Sequence, residues 1–300
     1  MIISVSGKIN SGKDTIGKIL QILLNNPHLN NEGVLSFLKK DINFDSPYYK
    51  NWQIKKFADK LKDIVCLLLN VDRETLEDRE FKEKELGEEW WYYKGEVGIY
   101  PYNTPYEANK KLPLIKPTPR LLLQLIGTEC GRQILHPNIW VNALMSDYKT
   151  EVIPNENYGS NRNKPKNWVI TKEEEQEYLL DNSHWVYKDE VNVISPNWVI
   201  TDMRFPNEIK AVKDRDGITI RVNRFNTCNC GNFTDWKYDT IKDGSNRYCG
   251  VCGTKQTIKD EHESETSLDS AIFDYTIEND SDLISLVKKV RIILKKEQLI

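Results

Sequence analysis

The stretch IISVSGKINSGKDTIGKILQILLNN, residues 2–26, constrains the fold more than any other part of the chain. A short β-branched run ends at Gly7. It is followed by a loop, Gly7-Lys8-Ile9-Asn10-Ser11-Gly12-Lys13, and then by apolar residues at helical spacing: Ile16, Ile19, Leu20, Leu23 and Leu24. The order is strand, glycine loop, helix, and the loop fits the G-x-x-x-x-G-K pattern. Glycines at 7 and 12 permit backbone angles that turn consecutive N–H groups toward a phosphate, and the helix adds its positive N-terminus. Gly7, Asn10, Ser11, Gly12, Lys13, Asp14 and Thr15 are therefore the expected ATP-binding residues, with Lys13 between the β- and γ-phosphates. Most such loops follow the lysine with a Ser or Thr that holds Mg²⁺. Here Asp14 stands in that place and Thr15 comes next. Either Asp14 reaches the metal through water or Thr15 takes the role. The plainer alternative is a glycine turn with no ligand.

The rest of the chain alternates in the same manner. WQIKKFAD (52–59) reads as a strand leading into the helix ADKLKDIVCLLLN, with Cys66 in its apolar run. DRETLEDREFKEKELG is helical at its start. EEWWYYKGEVGIYPYNTPYE has no clear period and reads as a loop or lid-like insertion. TPRLLLQLIGTECGRQI opens with Thr118 as N-cap and Pro119 at the first helical position, and Cys130 lies in its later half. NIWVNALMSDY is a further helix. NWVIT occurs at 167–171 and again at 197–201. The second copy, followed by DMRFPNEIKAVKD, is taken as a core strand, a turn and a helix; the first belongs to an insertion. ITIRVNR and AIFDYTIEN are strands, and DLISLVKKVRIILKK is a closing amphipathic helix. Strands alternating with helices predict an α/β fold with a doubly wound parallel sheet and helices on both faces. One domain spans 1–300, carrying a polar insertion at 148–196 and a second insertion at 226–259.

Composition narrows the partners. A net charge of −3, from 42 basic and 45 acidic residues, argues against nucleic acid as the main partner. No run approaches the length of a membrane span, and MIISVSGKIN lacks the form of a signal peptide. The expected compartment is the cytoplasm. Four of the six cysteines cluster as Cys228-Asn-Cys230-Gly and Cys249-Gly-Val-Cys252-Gly, with 18 residues between the pairs. Four thiolates at this spacing suit a structural, tetrahedral Zn²⁺, although the first pair is one residue shorter than the usual knuckle. The intervening FTDWKYDTIKDGSNRY reads as a short hairpin. The alternative is four free thiols in a flexible insertion.

SGKINSGKDT, FADKLK (57–62), RLLLQLIGTECGRQILHPNIWVNAL (120–144), WVITDMRFPNE (198–208) and HESETSLD (262–269) occur in this order. Together they resemble the phage-type deoxynucleoside monophosphate kinases, a branch of the P-loop nucleotide kinases in which Asp after the loop lysine is usual. The resemblance covers about residues 1–20, 52–147 and 197–297, and neither insertion. It implies transfer of the γ-phosphoryl group of Mg·ATP to a deoxynucleoside monophosphate, a reaction that rests on positioning and charge neutralisation. If the gene is phage-borne, the compartment is the host cytoplasm.

On that reading Lys13, Asp202 and Arg132 are catalytic. Lys8, at the loop's mouth, touches the acceptor phosphate, and Arg79, Arg120 and Arg132 are candidate phosphate clamps. Asp202 and Arg204 follow a core strand, at the edge where α/β ligands bind. Trp140 either stacks on the acceptor base or belongs to the core. Arg79, in a run of charges, reads first as a surface residue. Arg120 and Arg132, twelve apart, fall on similar faces if their helix is unbroken, though GTECG is a place for it to break. His262 and Glu263 read as a cap and salt-bridge partners. Two other functions compete: a P-loop kinase for another small metabolite, and an ATP-binding module whose zinc insertion contacts nucleic acid.

Overall fold

The computed structural model describes residues 1–8, 11–40, 52–95, 98–103, 112–150, 195–224, 252–253 and 266–300, and the backbone of strands 151–154, 168–169, 177–180, 184–187, 191–194, 236–238, 246–249 and 255–257. Its centre is a five-stranded sheet of β1 (Ile2–Gly7), β2 (Trp52–Lys55), β3 (Asn197–Met203), β4 (Ile218–Asn223) and β5 (Tyr275–Glu278). The spatial order is β5-β4-β1-β3-β2, and all four pairings are parallel. Every residue of β1 is buried, as expected of a central strand covered on both faces.

Helices α1 (Lys13–Asn25) and α2 (Asn31–Lys40) follow β1. Between β2 and β3 come α3 (Asp59–Leu69), α4 (Arg73–Glu77), α5 (Arg79–Glu83), α6 (Pro119–Gln124, continued by a π-helix over Leu125–Leu135) and α7 (Ile139–Met145). α8 (Pro206–Lys213) links β3 to β4, and α9 (Leu283–Lys296) ends the chain. On one face of the sheet, Ile16, Ile19, Leu20 and Leu23 of α1 pack with Val5, Val199 and Ile220 and with Leu286 and Val290 of α9. On the other face, Ile2, Ile200 and Met203 meet Val212 of α8 and Val141 and Leu144 of α7. A third cluster joins Leu61 and Val65 of α3 to Leu76 and Trp140. The helices after the adjacent strands β1 and β3 thus leave toward opposite faces. That arrangement opens a crevice at the strands' carboxyl ends, where ligands of open α/β sheets bind.

The five strands and the helices after β2, β3 and β5 lie where the sequence places them, and the second NWVIT copy is the core strand. Thr118 caps α6, its hydroxyl accepting from Leu121 N at 3.2 Å. Three features differ. α2 has no counterpart in the sequence reading; it buries Val34 and half-buries Leu35, Phe37 and Leu38. The aromatic stretch expected as loop forms a small antiparallel sheet, 99–101 and 114–115 flanking 92–94. Within the 148–196 insertion, 151–154 pairs antiparallel with 191–194, and 168–169, 177–180 and 184–187 form another small sheet. In the 226–259 insertion, 236–238 and 246–249 pair as the expected hairpin, and 255–257 adds a third strand.

Candidate active site

The glycine loop is shaped by close approaches. Gly12, at the N-cap of α1, has φ of 95°, and a Cβ there would lie 2.4 Å from Asn279 Nδ2. That amide donates to Ser11 O at 2.8 Å, pinning the loop to the end of β5. A Cβ on Gly7 would lie 2.3 Å from Ser11 Oγ and 2.8 Å from Val222 O. Ser11 is buried and its hydroxyl has no hydrogen-bond partner. Lys13 is only 8% exposed, and its ammonium turns back across the loop to donate to Lys8 O at 3.3 Å. An unpartnered buried hydroxyl, a buried ammonium and two positions where a side chain would clash or be strained make a cradle suited to anionic oxygens. Asn10 lies outside the described residues.

Asp14 is exposed on the first turn of α1 and pairs with Lys56 Nζ at 3.3 Å, while Thr15 is half-buried. Burial works against the charge on Lys56, but Asp14 and Asp202 outweigh it and raise its pKa. Asp202, at the end of β3, accepts from Phe57 N at 2.8 Å and Ala58 N at 3.0 Å. It thereby fixes the turn between β2 and α3, just after Lys56. Burial raises the Asp202 pKa, opposed by these two N–H groups and by Lys62 and Lys56.

Ser4 and Ser6 of β1, Asp202 of β3 and Arg221 of β4 line the face of the sheet that α8 covers. Arg221 donates to Ser6 Oγ at 3.1 Å and to Asp269 Oδ1 at 2.9 Å, and its guanidinium lies 5.7 Å from the Phe273 ring. Lys8 Nζ stands 3.3 Å from the other oxygen of Asp269. Across the crevice, Arg132 pairs with Glu208, donates to Pro137 O at 3.4 Å and stacks 3.8 Å above the Phe205 ring. Glu208 also accepts from Arg204 N at 2.6 Å and Phe205 N at 3.1 Å, closing the β3–α8 turn. Burial pushes Glu208 up to about 7, against the pull of Arg132.

The structure therefore gathers Lys8, Lys13, Asp14, Asp202, Arg204 and Arg132 at the carboxyl edge of the sheet. Arg120 and Arg132 go to different neighbours, Glu83 and Glu208. GTECG does not break the helix; it lies in a stretch of i→i+5 turns. Among the described residues Arg120 pairs with Glu83 and Arg79, exposed at the start of α5, makes no ion pair, so neither is tied into the cluster. Trp140 takes the second of its two alternatives. It is 4% exposed, its indole N–H donates to Gly127 O at 2.7 Å, and it packs against Gly131, so it is a core residue and not a base-stacking one.

Cys228, Cys230, His262 and Glu263 lie outside the described residues. Cys249 ends a strand described by its backbone, and Cys252 is exposed beside Gly253, whose φ is 72°. Among the described residues no helix is long and apolar enough to cross a membrane.

The sequence reading did not single out Lys56, Glu208, Arg221, Asp269 or Asn279. Glu208 carried a signal, since an acid at the third position after a helix N-cap is a capping pattern. Arg221 inside an otherwise apolar strand carried another, because a buried strand keeps a charge only beside a partner. No family model matches the chain, and no curated protein is significantly similar to it.

Proposed function

We propose that the protein is a P-loop kinase that transfers the γ-phosphoryl group of ATP to a deoxynucleoside monophosphate, giving the diphosphate and ADP. The observation that carries this reading is the loop cradle: Lys13 is buried, with its ammonium folded inward over the loop, close to the unpartnered Ser11 hydroxyl and to Gly12, where a side chain would be strained. The arginine-lined crevice next to it supplies the second half of the argument. One site suits a triphosphate and its neighbour a smaller phosphorylated acceptor.

Lys13 and the N-terminus of α1 neutralise the triphosphate. Asp202 holds the turn that carries Lys56, and Lys56 in turn orients Asp14. Mg²⁺ bound beside Asp14 and Thr15 would withdraw charge from the phosphate oxygens during transfer. Arg132 and Arg204 face the acceptor, with Glu208 pairing with Arg132 and holding the turn that carries Arg204. Structural zinc on Cys228, Cys230, Cys249 and Cys252 is a separate part of the proposal, tested by metal analysis of the purified protein.

The test of the reaction is ADP release coupled to NADH oxidation, with Mg·ATP against a panel of deoxynucleoside and ribonucleoside monophosphates and a control without acceptor. Acceptor-dependent turnover with one or more deoxynucleotides is expected. Folded protein that binds ATP but releases no acceptor-dependent ADP would overturn the reading.

A further inference from the structure

The pair Lys8 and Arg221 has a geometry that the loop does not require. Arg221 stands in register with Ser6, two residues before Lys8 on the neighbouring strand. Its guanidinium is fixed from two sides, by the Ser6 hydroxyl and by the Phe273 ring. Its side chain is only 13% exposed, so it has little freedom to move elsewhere. One carboxylate, Asp269, presents one oxygen to Arg221 and the other to Lys8. A carboxylate held in this way by a guanidinium and an ammonium has the contacts of a bound oxyanion. Asp269 itself is less constrained. Its side chain is 43% exposed and it sits in the turn Ser267–Ser270, outside the regular elements.

The Lys8–Asp269 pair is exposed on both sides and contributes little, and Asp269 is tied down only by its turn, so a single carboxylate is a weak occupant. A phosphomonoester carries up to two negative charges and three acceptor oxygens, and it competes for the same two cations on better terms. The seat lies at the rim of the loop: Lys8 O accepts from the Lys13 ammonium, while the Lys8 side chain points away to Asp269. A phosphate gripped there is next to the group that would receive the triphosphate.

We infer that Arg221 and Lys8 form the seat of the acceptor's phosphate, and that Asp269 is an internal counter-ion which an incoming phosphomonoester displaces. The inference rests on the kinase reading and adds a phosphate-binding residue, Arg221, together with a competitor built into the chain. It makes opposite demands of two residues that touch each other. Loss of the guanidinium weakens acceptor binding, whereas loss of the Asp269 charge strengthens it. A merely structural salt bridge gives no reason for opposite signs.

The experiment is calorimetric titration of the full chain with each of the four common deoxynucleoside monophosphates, with inorganic phosphate, and separately with Mg·ATP. Arg221→Met is expected to weaken monophosphate and phosphate binding by about tenfold or more, the scale of a lost charge-assisted hydrogen bond, and to leave Mg·ATP affinity within about twofold. Arg221→Lys, which keeps the charge, should fall between, and it stands in if Arg221→Met fails to fold. Asp269→Asn is expected to tighten monophosphate binding by about two- to fivefold. Weaker binding in Asp269→Asn, or equal losses for ATP and monophosphate in the arginine variants, would overturn the inference. The parent reading fails separately. A wild-type protein that binds inorganic phosphate through Arg221 but no nucleoside monophosphate keeps the seat and loses the nucleotide; one that binds neither loses both.

Discussion

Replacing Gly12 by alanine tests the central geometric claim about the loop. At φ of 95° an L-residue is displaced from its allowed regions, and forcing a side chain there costs about 1–2 kcal/mol. The new Cβ would also stand 2.4 Å from Asn279 Nδ2, well inside contact distance. Asn279 is the end of a side chain and can swing away, but only by giving up its 2.8 Å bond to Ser11 O, which costs about 1 kcal/mol. The two contributions together come to about 2–3 kcal/mol. Urea unfolding of Gly12→Ala, Asn279→Ala and the double variant separates them. Asn279→Ala alone should cost about 1 kcal/mol, and the double variant should cost less than the sum because the clash is gone while the strain remains. A Gly12→Ala loss below about 0.5 kcal/mol would refute the reasoning, since that is the range of an unremarkable surface change. So would strict additivity in the cycle. Mg·ATP affinity should fall with Gly12→Ala, because the strained turn is the part that presents the N–H groups.

Three further outcomes are expected. Lys13→Ala should abolish phosphoryl transfer while circular dichroism shows an intact fold; retention of most activity would remove the loop from the mechanism. Asp202→Asn keeps only one acceptor oxygen for the N–H groups of Phe57 and Ala58, so it should cost about 1–3 kcal/mol in urea unfolding, with faster amide exchange at those two residues. Glu208 has a folded-state pKa of about 7, above its ordinary 4.5, so its contribution is fully present below about 4.5 and is lost as the pH climbs through about 7. Arg132→Met leaves that carboxyl without its counter-charge, so it should cost about 3–5 kcal/mol at pH 8 and clearly less at pH 5.5, where the group is protonated; a loss independent of pH would show that Glu208 is not the cause.

Much of this arrangement was legible in the residues because the signals were local. A glycine loop between a β-branched run and an amphipathic helix fixes β1 and α1 together. Pro119 after Thr118, and Pro206 after the strand ending at Met203, mark two helix starts. Asp202 and Arg204 could be assigned to the carboxyl edge of the sheet because they lie at the end of a strand, and Lys13 because it closes the loop that follows one. What was not legible depends on contacts between distant segments. Arg221 and Asp269 meet over 48 positions, and Arg132 and Glu208 over 76. Spacing along the chain carries no trace of such pairs. The period of the helix that carries Arg132 was not legible either: i→i+5 turns over Leu125–Leu135 replace the α-helical spacing that the comparison with Arg120 assumed. Trp140 was ambiguous because a large aromatic serves equally well in a core or on a base, and only its bond to Gly127 O decides. α2 escaped notice because just one of its residues, Val34, is fully buried, which leaves a faint apolar stripe.

The antiparallel pairing of 151–154 with 191–194 has a consequence for how the chain tolerates additions. The two ends of the large insertion are zipped together at its base, and just below them Thr150 Oγ1 and Ser195 Oγ lie 3.2 Å apart. The core therefore meets the insertion as a single narrow stem, entering β3 from its amino end, whereas the glycine loop and the arginines stand at the carboxyl ends. Material spliced in or cut out at that stem would not lengthen any path through the carboxyl edge of the sheet. A short turn joining 150 to 195, or a foreign domain with adjacent termini grafted at the same place, would leave the order of the five strands unchanged.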